Sequence, residues 1–359
     1  MKIIDRYLLR AFFTNYLIAL AVMIGLYVFL DLFVNLDEFT SVAAPPQVIL
    51  RNIISFYGWN LFHYFSQLAG IIVLVAACFT LGRFLRTNEL TAILASGTSL
   101  YRVAAPLVLA GLALNGAWIV NQEIIIPRIA DKLARAHSDI EGRRTFAIWC
   151  LRDRDNSLFS ASRFDPRSSL VEGLIVMKRD DRGRLVELLR ADSARWDAER
   201  RLWHLSVPKL TGDLDAGGAD TISPTFPTEY ASDLTPYELK LRQASQWTSY
   251  LSSRDLSRLA DRYSQNDLFI KTRHARLTTP FINLLLLLMG IPFFLNRERP
   301  TVIAAGGRCL LVCGGCFVFA FLCQSVDVTR LSSHPALPAW LPLLVFAPFG
   351  VLLIDSIKT

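Results

Sequence analysis

Six stretches of this chain carry no Asp, Glu, Lys or Arg over lengths at or near the roughly 20 residues that a helix needs to cross a bilayer core. They are residues 11–30, 52–82, 103–122, 277–296, 309–326 and 331–354. The pattern predicts six transmembrane helices, three before and three after a long polar segment. Pro280, Pro292 and Pro342 lie near the ends of these stretches, where an interrupted helix costs little. Composition agrees: 52% of the 359 residues are hydrophobic and 19% charged, which is richer in apolar and poorer in charged residues than a soluble domain. The net charge of +7 does not point to nucleic acid, since no basic run interleaved with aromatics and no zinc-finger spacing accompanies it. Lys and Arg flanking the spans account for the excess. No A-x-A cleavage pattern follows the first apolar run, so that run reads as a retained span.

Counting Lys and Arg in the short loops sets an expected orientation. With the N-terminus inside, that side holds Lys2, Arg6, Arg10, Arg83, Arg86, Arg102, Arg297, Arg299, Arg308 and Lys358, against Arg51 and Arg330 opposite. Both termini are therefore expected in the cytoplasm. Residues 131–270 then fall outside, long enough to form a domain and exempt from the charge rule. From Thr145 onward the period changes to short alternating runs such as "LWHLSV", separated by "RDRDN", "DDRG" and "DAER". Trp203, Leu205 and Val207 share one face of that run, and the spacing predicts an antiparallel β-sandwich or jelly roll whose slot they would line. After "DLTP" the pattern returns to helix, with Ser253 or Asp255 as a cap. The expected organisation is residues 1–130 (three spans), 131–270 (β domain with flanking helices) and 271–359 (three spans).

Between the second and third stretches stands "RTNELTAILASGTSLYR", too polar to span and too regular for a loop. Asn88 can cap a helix that Glu89 opens, Leu90, Ile93 and Leu94 fall on one face, and Gly97 ends it in a left-handed cap before Thr98 or Ser99 starts the next helix. Two readings follow, a helix resting on lipid headgroups or a docking helix for a cytoplasmic partner.

"RTNELTAILASGTS" resembles the cytoplasmic coupling helix of the lipopolysaccharide-export permease family, the LptF and LptG (YjgP/YjgQ) type: an acidic residue, an apolar run, then small residues and Gly. "IIDRYLLRAFFTNYL", "WDAERRLWHL" and "HARLTTPFINLLLLLMGIPF" are similar to other parts of the same family, so the resemblance covers essentially the whole chain. It implies an α-helical membrane protein with six transmembrane helices and an inserted extracytoplasmic β-jelly-roll domain, in the bacterial inner membrane. It also implies an ABC transporter in which a second homologous permease subunit completes the membrane part and a cytoplasmic ATPase dimer docks on the coupling helices, here at Glu89, Leu90, Ile93, Leu94 and Gly97. Lipopolysaccharide or a related glycolipid would pass to a periplasmic β-jelly-roll bridge protein. One departure is that some members carry basic residues at the outer end of the first span, where this chain has Asp31, Asp37 and Glu38.

The remaining constellations fit a transport subunit without catalysis or cofactor. No G-x-x-x-x-G-K-[ST] phosphate loop is present, so ATP hydrolysis is expected on another chain. Span interiors lack the acidic or basic residues an ion-coupled carrier needs. Cys309, Cys313, Cys316, Ala320 and Cys323 form a small-residue stripe on the fifth stretch, read as a packing surface and, by the resemblance, a lateral gate, rather than as a metal site. Arg128, Lys132, Lys271, Arg273 and Arg276 stand at the outer ends of spans three and four, where they can meet lipid phosphates or snorkel to headgroups. His63 reads as a hydrogen-bonded packing residue, and His137, His204, His274 and His334 share no ligand spacing. The alternative reading is a membrane-anchored scaffold or receptor whose outer β domain binds protein; an intramembrane enzyme lacks a visible nucleophile and base.

Overall fold

The computed structural model describes residues 3–40, 45–133, 145–180, 183–212, 227–242, 247–262, 267–295, 301–325 and 334–355. The chain opens with α1 (Ile3–Thr40), α2 (Pro46–Arg86), α3 (Glu89–Ala95) and α4 (Leu100–Val120). A π-helical turn (Asn121–Ile125) leads from α4 into the short α5 (Ile126–Arg128) and α6 (Ala130–Leu133). Six strands follow: β1 (Phe146–Arg152), β2 (Leu158–Asp165), β3 (Leu170–Arg179), β4 (Leu185–Asp197), β5 (Leu202–Gly212) and β6 (Glu229–Tyr230). The last helices are α7 (Pro236–Arg242), α8 (Trp247–Tyr250), α9 (Ser253–Arg262), α10 (Asp267–Gly290), α11 (Val302–Ser325) and α12 (Leu337–Asp355). Two compact units result, one of Met1–Leu36, Tyr57–Ile129 and Thr248–Thr359, the other of Asp37–Phe56 and Ala130–Trp247. The expected 131–270 segment is thus divided, with α9 and the start of α10 belonging to the helical unit.

Each of the six charge-free stretches falls on a helix long and apolar enough to cross a membrane, with 294–295 and 334–336 lying just beyond the helix ends. Positions 296, 326 and 331–333 at the read span ends lie outside the described residues, as do Lys2, Arg297, Arg299, Arg330 and Lys358 of the charge count. An 18-residue apolar window of α2 is 61% buried and that of α1 only 11%, so α2 is the axis of the bundle and α1 its open side. Small residues set the packing distance: a Cβ on Gly70 would strike Asn283, one on Gly111 would strike Leu287 and one on Gly290 would strike Leu74. Helices in lipid gain no hydrophobic drive from one another, so this close approach of α2, α4 and α10 supplies the attraction by dispersion. Within it Asn15 donates to the Thr80 hydroxyl at 2.9 Å, joining α1 to α2.

The second unit holds one six-stranded antiparallel sheet in the order β1-β2-β3-β4-β5-β6. This is the inserted β domain; its described strands are neighbours in chain order. Phe159, Phe164, Val171, Val176, Leu189 and Trp203 build its core, with Leu234 and Leu239. The inward alternation slips by one residue in the same row of four strands. Inward residues run Phe159, Ala161, then Phe164 on β2; Val171, then Leu174 and Val176 on β3; Leu189, Ala191, then Ala194 on β4. The slip centres on Ser162, Gly173, Asp192 and Val207, which lie across from one another in the register. Gly173 and Val207 take the left-handed conformation there, with φ of 61° and 52°. Because paired strands kink at the same row, the register survives while the facing changes. Val207 is therefore 56% exposed rather than beside buried Trp203 and Leu205. Strict alternation fails there because one left-handed residue turns the following side chains over.

Candidate functional site

The stretch between α2 and α4 is anchored more firmly than its polarity suggests. α2 runs to Arg86, and Asn88, at φ 58°, turns the chain left-handed into α3 without giving a side-chain cap. The expected Asn88 cap is replaced by a grip on Glu89. The Thr87 hydroxyl donates to Glu89 Oε1 at 3.0 Å and the Tyr7 hydroxyl to Oε2 at 3.0 Å. Gly97 ends the helix with φ 78°, as expected, its N–H bonded to Leu94 O. Leu90 is buried, and Ile93 and Leu94 pack against the helical core. The apolar face of α3 is thus consumed within the chain. Ala92, Ala95, Ser96 and Gly97 are the exposed residues, with Glu89 half-buried beside them. Sequence reasoning missed Tyr7, because nothing local relates it to a residue 82 positions away.

The stripe on α11 also faces inward. Cys309, Cys313, Cys316, Ala320 and Cys323 are all buried. Cys309 Sγ lies 3.4 Å from Cys78 Sγ of α2, and Cys313 Sγ 3.8 Å from the Leu286 carbonyl of α10. It is a packing seam within the chain, in keeping with its reading as a small-residue packing surface. The face of α11 left open carries Leu310, Leu311, Val318, Phe321 and Leu322.

The basic residues separate by burial. Arg128 and Arg273 are exposed and Lys132 is half-buried, whereas Lys271 is buried. The Arg276 side chain is 8% exposed, 3.7 Å from Glu123, and donates to the carbonyls of Thr248 and Ser249 at 3.2 and 3.0 Å. Arg276 is thereby engaged by the protein's own carbonyls and by Glu123. The π turn explains the arrangement, since its wider winding presents Asn121, Gln122 and Glu123 in succession. Asn121 donates to Phe62 O, Gln122 donates to Ser249 O and accepts from the Ser66 hydroxyl, and Glu123 takes both the N–H and hydroxyl of Ser253. α2, α4, α10 and the α8–α9 connection are thus tied at one place. His63, as expected, is a packing residue: the Gln67 amide donates to its Nε2 at 2.9 Å, and its ring meets the edge of Tyr250, whose phenol burial pushes up to about 12.

At the far end of α1, Asp31 accepts from the Tyr57 hydroxyl at 2.8 Å and from Asn35 at 3.2 Å. The acid that departs from the family pattern is thus bonded to the chain's own tyrosine.

In the β unit Trp203 is fully buried, its indole N–H bonded to Leu234 O at 3.1 Å and its ring against Phe159 and Trp196. Trp203 and Leu205 are core, not the wall of an open slot. Nearby, Asp153 is also buried and accepts from the Tyr230 and Ser232 hydroxyls and the Asp233 N–H at 2.9, 2.6 and 2.9 Å. Burial, then the Asp153 charge, hold the Tyr230 phenol well above its ordinary range.

No curated protein matches the chain. A family model described as "Lipopolysaccharide export system permease LptF/LptG" matches residues 6–355. Six membrane-type helices interrupted by a β domain, with a short helix strapped between the second and third, and a match over nearly the whole chain place the protein in the LptF/LptG family of lipopolysaccharide export permeases, the membrane subunits of a transport system.

Proposed function

We propose that the chain is one permease subunit of an ABC exporter that extracts lipopolysaccharide or a related glycolipid from the inner membrane, with both termini in the cytoplasm. A second homologous permease completes the membrane part, a cytoplasmic ATPase dimer docks on α3, and a periplasmic β-jelly-roll bridge takes the lipid onward. Arg128 and Arg273, exposed at the outer ends of spans three and four, are the basic residues placed to meet its phosphates.

The observation that carries this reading is the way α3 is mounted. A helix lying on headgroups would turn Leu90, Ile93 and Leu94 toward lipid; here they pack into the bundle. What remains outside is a shallow strip of Ala92, Ala95 and Ser96 beside a held carboxylate, a surface that a protein groove can close over. Force applied there reaches α2 and α4 directly, because short turns join α3 to both.

The test is copurification of the ATPase with full-length chain, together with lipid release from proteoliposomes. Glu89→Lys places a cation where the partner's basic group would sit and is expected to cost about 2 to 5 kcal/mol of docking. Full ATPase binding and lipid release by that variant would remove the docking role. Cysteine labelling from outside is expected to reach Asp37→Cys and not Glu89→Cys; the reverse would overturn the orientation.

A further inference from the structure

The Tyr7 hydroxyl, on the first turns of α1, reaches Glu89 of α3 across 3.0 Å, and two features give that contact a purpose. The first is rigidity. The Tyr7 ring stacks on Phe84 with centroids 5.6 Å apart and planes 15° from parallel, and Phe84 is fully buried in α2. Leu8 and Phe12, also buried, fix α1 on either side of the next turn. The ring is thus backed on one face by a fixed neighbour, although Tyr7 itself is 45% exposed. The second is the state of the carboxylate. Its two donors, Tyr7 and Thr87, are neutral hydroxyls, one on each oxygen. A carboxylate offers about four acceptor positions, so about two remain for an incoming donor, and the exposed Arg83 lies beside the Tyr7 hydroxyl.

Resting on the reading of α3 as the ATPase-docking helix, we propose that Tyr7 is a positioning residue for docking: it holds Glu89 in the orientation the ATPase engages and ties that contact to α1. Without it Glu89 would sample several rotamers, and ordering them would oppose binding. The link also gives α1, the least buried span, a direct connection to the docking helix, in addition to the covalent route through α2 and α4.

The experiment measures affinity of the copurifying ATPase for the full-length chain in nanodiscs, for wild type, Tyr7→Phe, Tyr7→Leu, Glu89→Ala and Tyr7→Phe/Glu89→Ala. Tyr7→Phe keeps the ring and its stack on Phe84 and removes only the hydroxyl. It is expected to weaken docking about 5- to 10-fold with little change in thermal stability, the size of ordering one rotamer-rich side chain on binding. In the Glu89→Ala background the same change is expected to have no further effect, a non-additivity that a merely structural role for Tyr7 would not produce. Tyr7→Leu, which also loses the stack, reports packing alone by its excess over Tyr7→Phe. Wild-type affinity in Tyr7→Phe, with Glu89→Ala impaired, would overturn this inference while leaving the docking role of Glu89 standing. An equal loss on both backgrounds would overturn it too. Wild-type affinity in Glu89→Ala would overturn the docking reading and this inference with it.

Discussion

Replacing Arg276 by Met separates a residue that binds lipid from one that holds the fold. At 3.7 Å, and with an effective dielectric of about 20, attraction between Arg276 and Glu123 amounts to about 4.5 kcal/mol. Two further charged hydrogen bonds, to Thr248 O and Ser249 O, leave with the guanidinium, although Ser249 O keeps its bond from the Gln122 amide. Against this, Met has no charge to desolvate, so the cost of burying Arg276 disappears as well. Glu123 is about one-third exposed and keeps its two bonds from Ser253, so it is not left as a fully buried orphan. Removing one partner of a buried pair costs about 3 to 5 kcal/mol, and the exposure of Glu123 puts Arg276→Met at about 2 to 4.

The assay is unfolding of the full chain in nanodiscs, run as a cycle of Arg276→Met, Glu123→Gln and the double variant. An interaction of roughly 1 to 3 kcal/mol is expected, with the double variant less destabilised than the sum of the singles. Arg128→Met and Arg273→Met, both at exposed positions, are expected to change stability by about 0.5 kcal/mol or less. If Arg276→Met were as stable as wild type yet lost glycolipid binding, the ion pair would not be holding these helices and the headgroup reading would stand.

Three other outcomes are expected. Gly173→Ala should destabilise the β unit, since its φ of 61° opposes a side chain and the new Cβ would lie 2.5 Å from Ser162 Oγ, while Val207→Gly should stabilise it by about 1 kcal/mol by relieving a β-branched residue at positive φ; thermal unfolding of the full chain reads both signs. Asp153→Ala leaves three buried or half-buried donors without their acceptor and should cost about 3 kcal/mol or more, against little change for Asp155→Ala, whose carboxylate is exposed. The Asp197 carboxyl, held down chiefly by the Arg200 backbone N–H and then by His204, should titrate by NMR below the ordinary 3.8; with its folded pKa depressed, its stabilising contribution is present above 3.8 and fades as pH falls through the lower folded value, and a midpoint at or above 3.8 would refute the assignment.

Span positions were legible because absence of charge over twenty residues is a property of single residues summed along the chain. The β domain was legible for a similar reason, until Val207. Inward alternation on β5 can be read only while every residue is extended, and no local signal marks a valine that adopts φ 52°. The signal lay in neighbouring strands, where Gly173 sits across from Asp192, and Asp192 from Val207. A single glycine in "VEGLIV" locates the row once the pairing is known, and only then.

The direction of a face was the harder problem. Leu90, Ile93 and Leu94 on α3, and the cysteines on α11, were correctly grouped by helical spacing, but spacing is the same whether a stripe meets lipid, a partner or its own bundle. In water an apolar stripe must turn inward, so grouping implies direction. In a bilayer the outer face is apolar too, and the hydrophobic effect no longer distinguishes the two sides. Size distinguishes them instead: the small side chains of α11 take the inside, while Leu310, Leu311, Phe321 and Leu322 take the outside. The same reasoning separates Arg276 from Arg273, three residues apart on one helix. Arg276 is buried because Glu123, 153 positions earlier, lies within reach to neutralise it, and that acid stands just past the charge-free stretch ending at residue 122. A charge next to a span end therefore cannot be assigned to lipid or to protein until its opposite is placed.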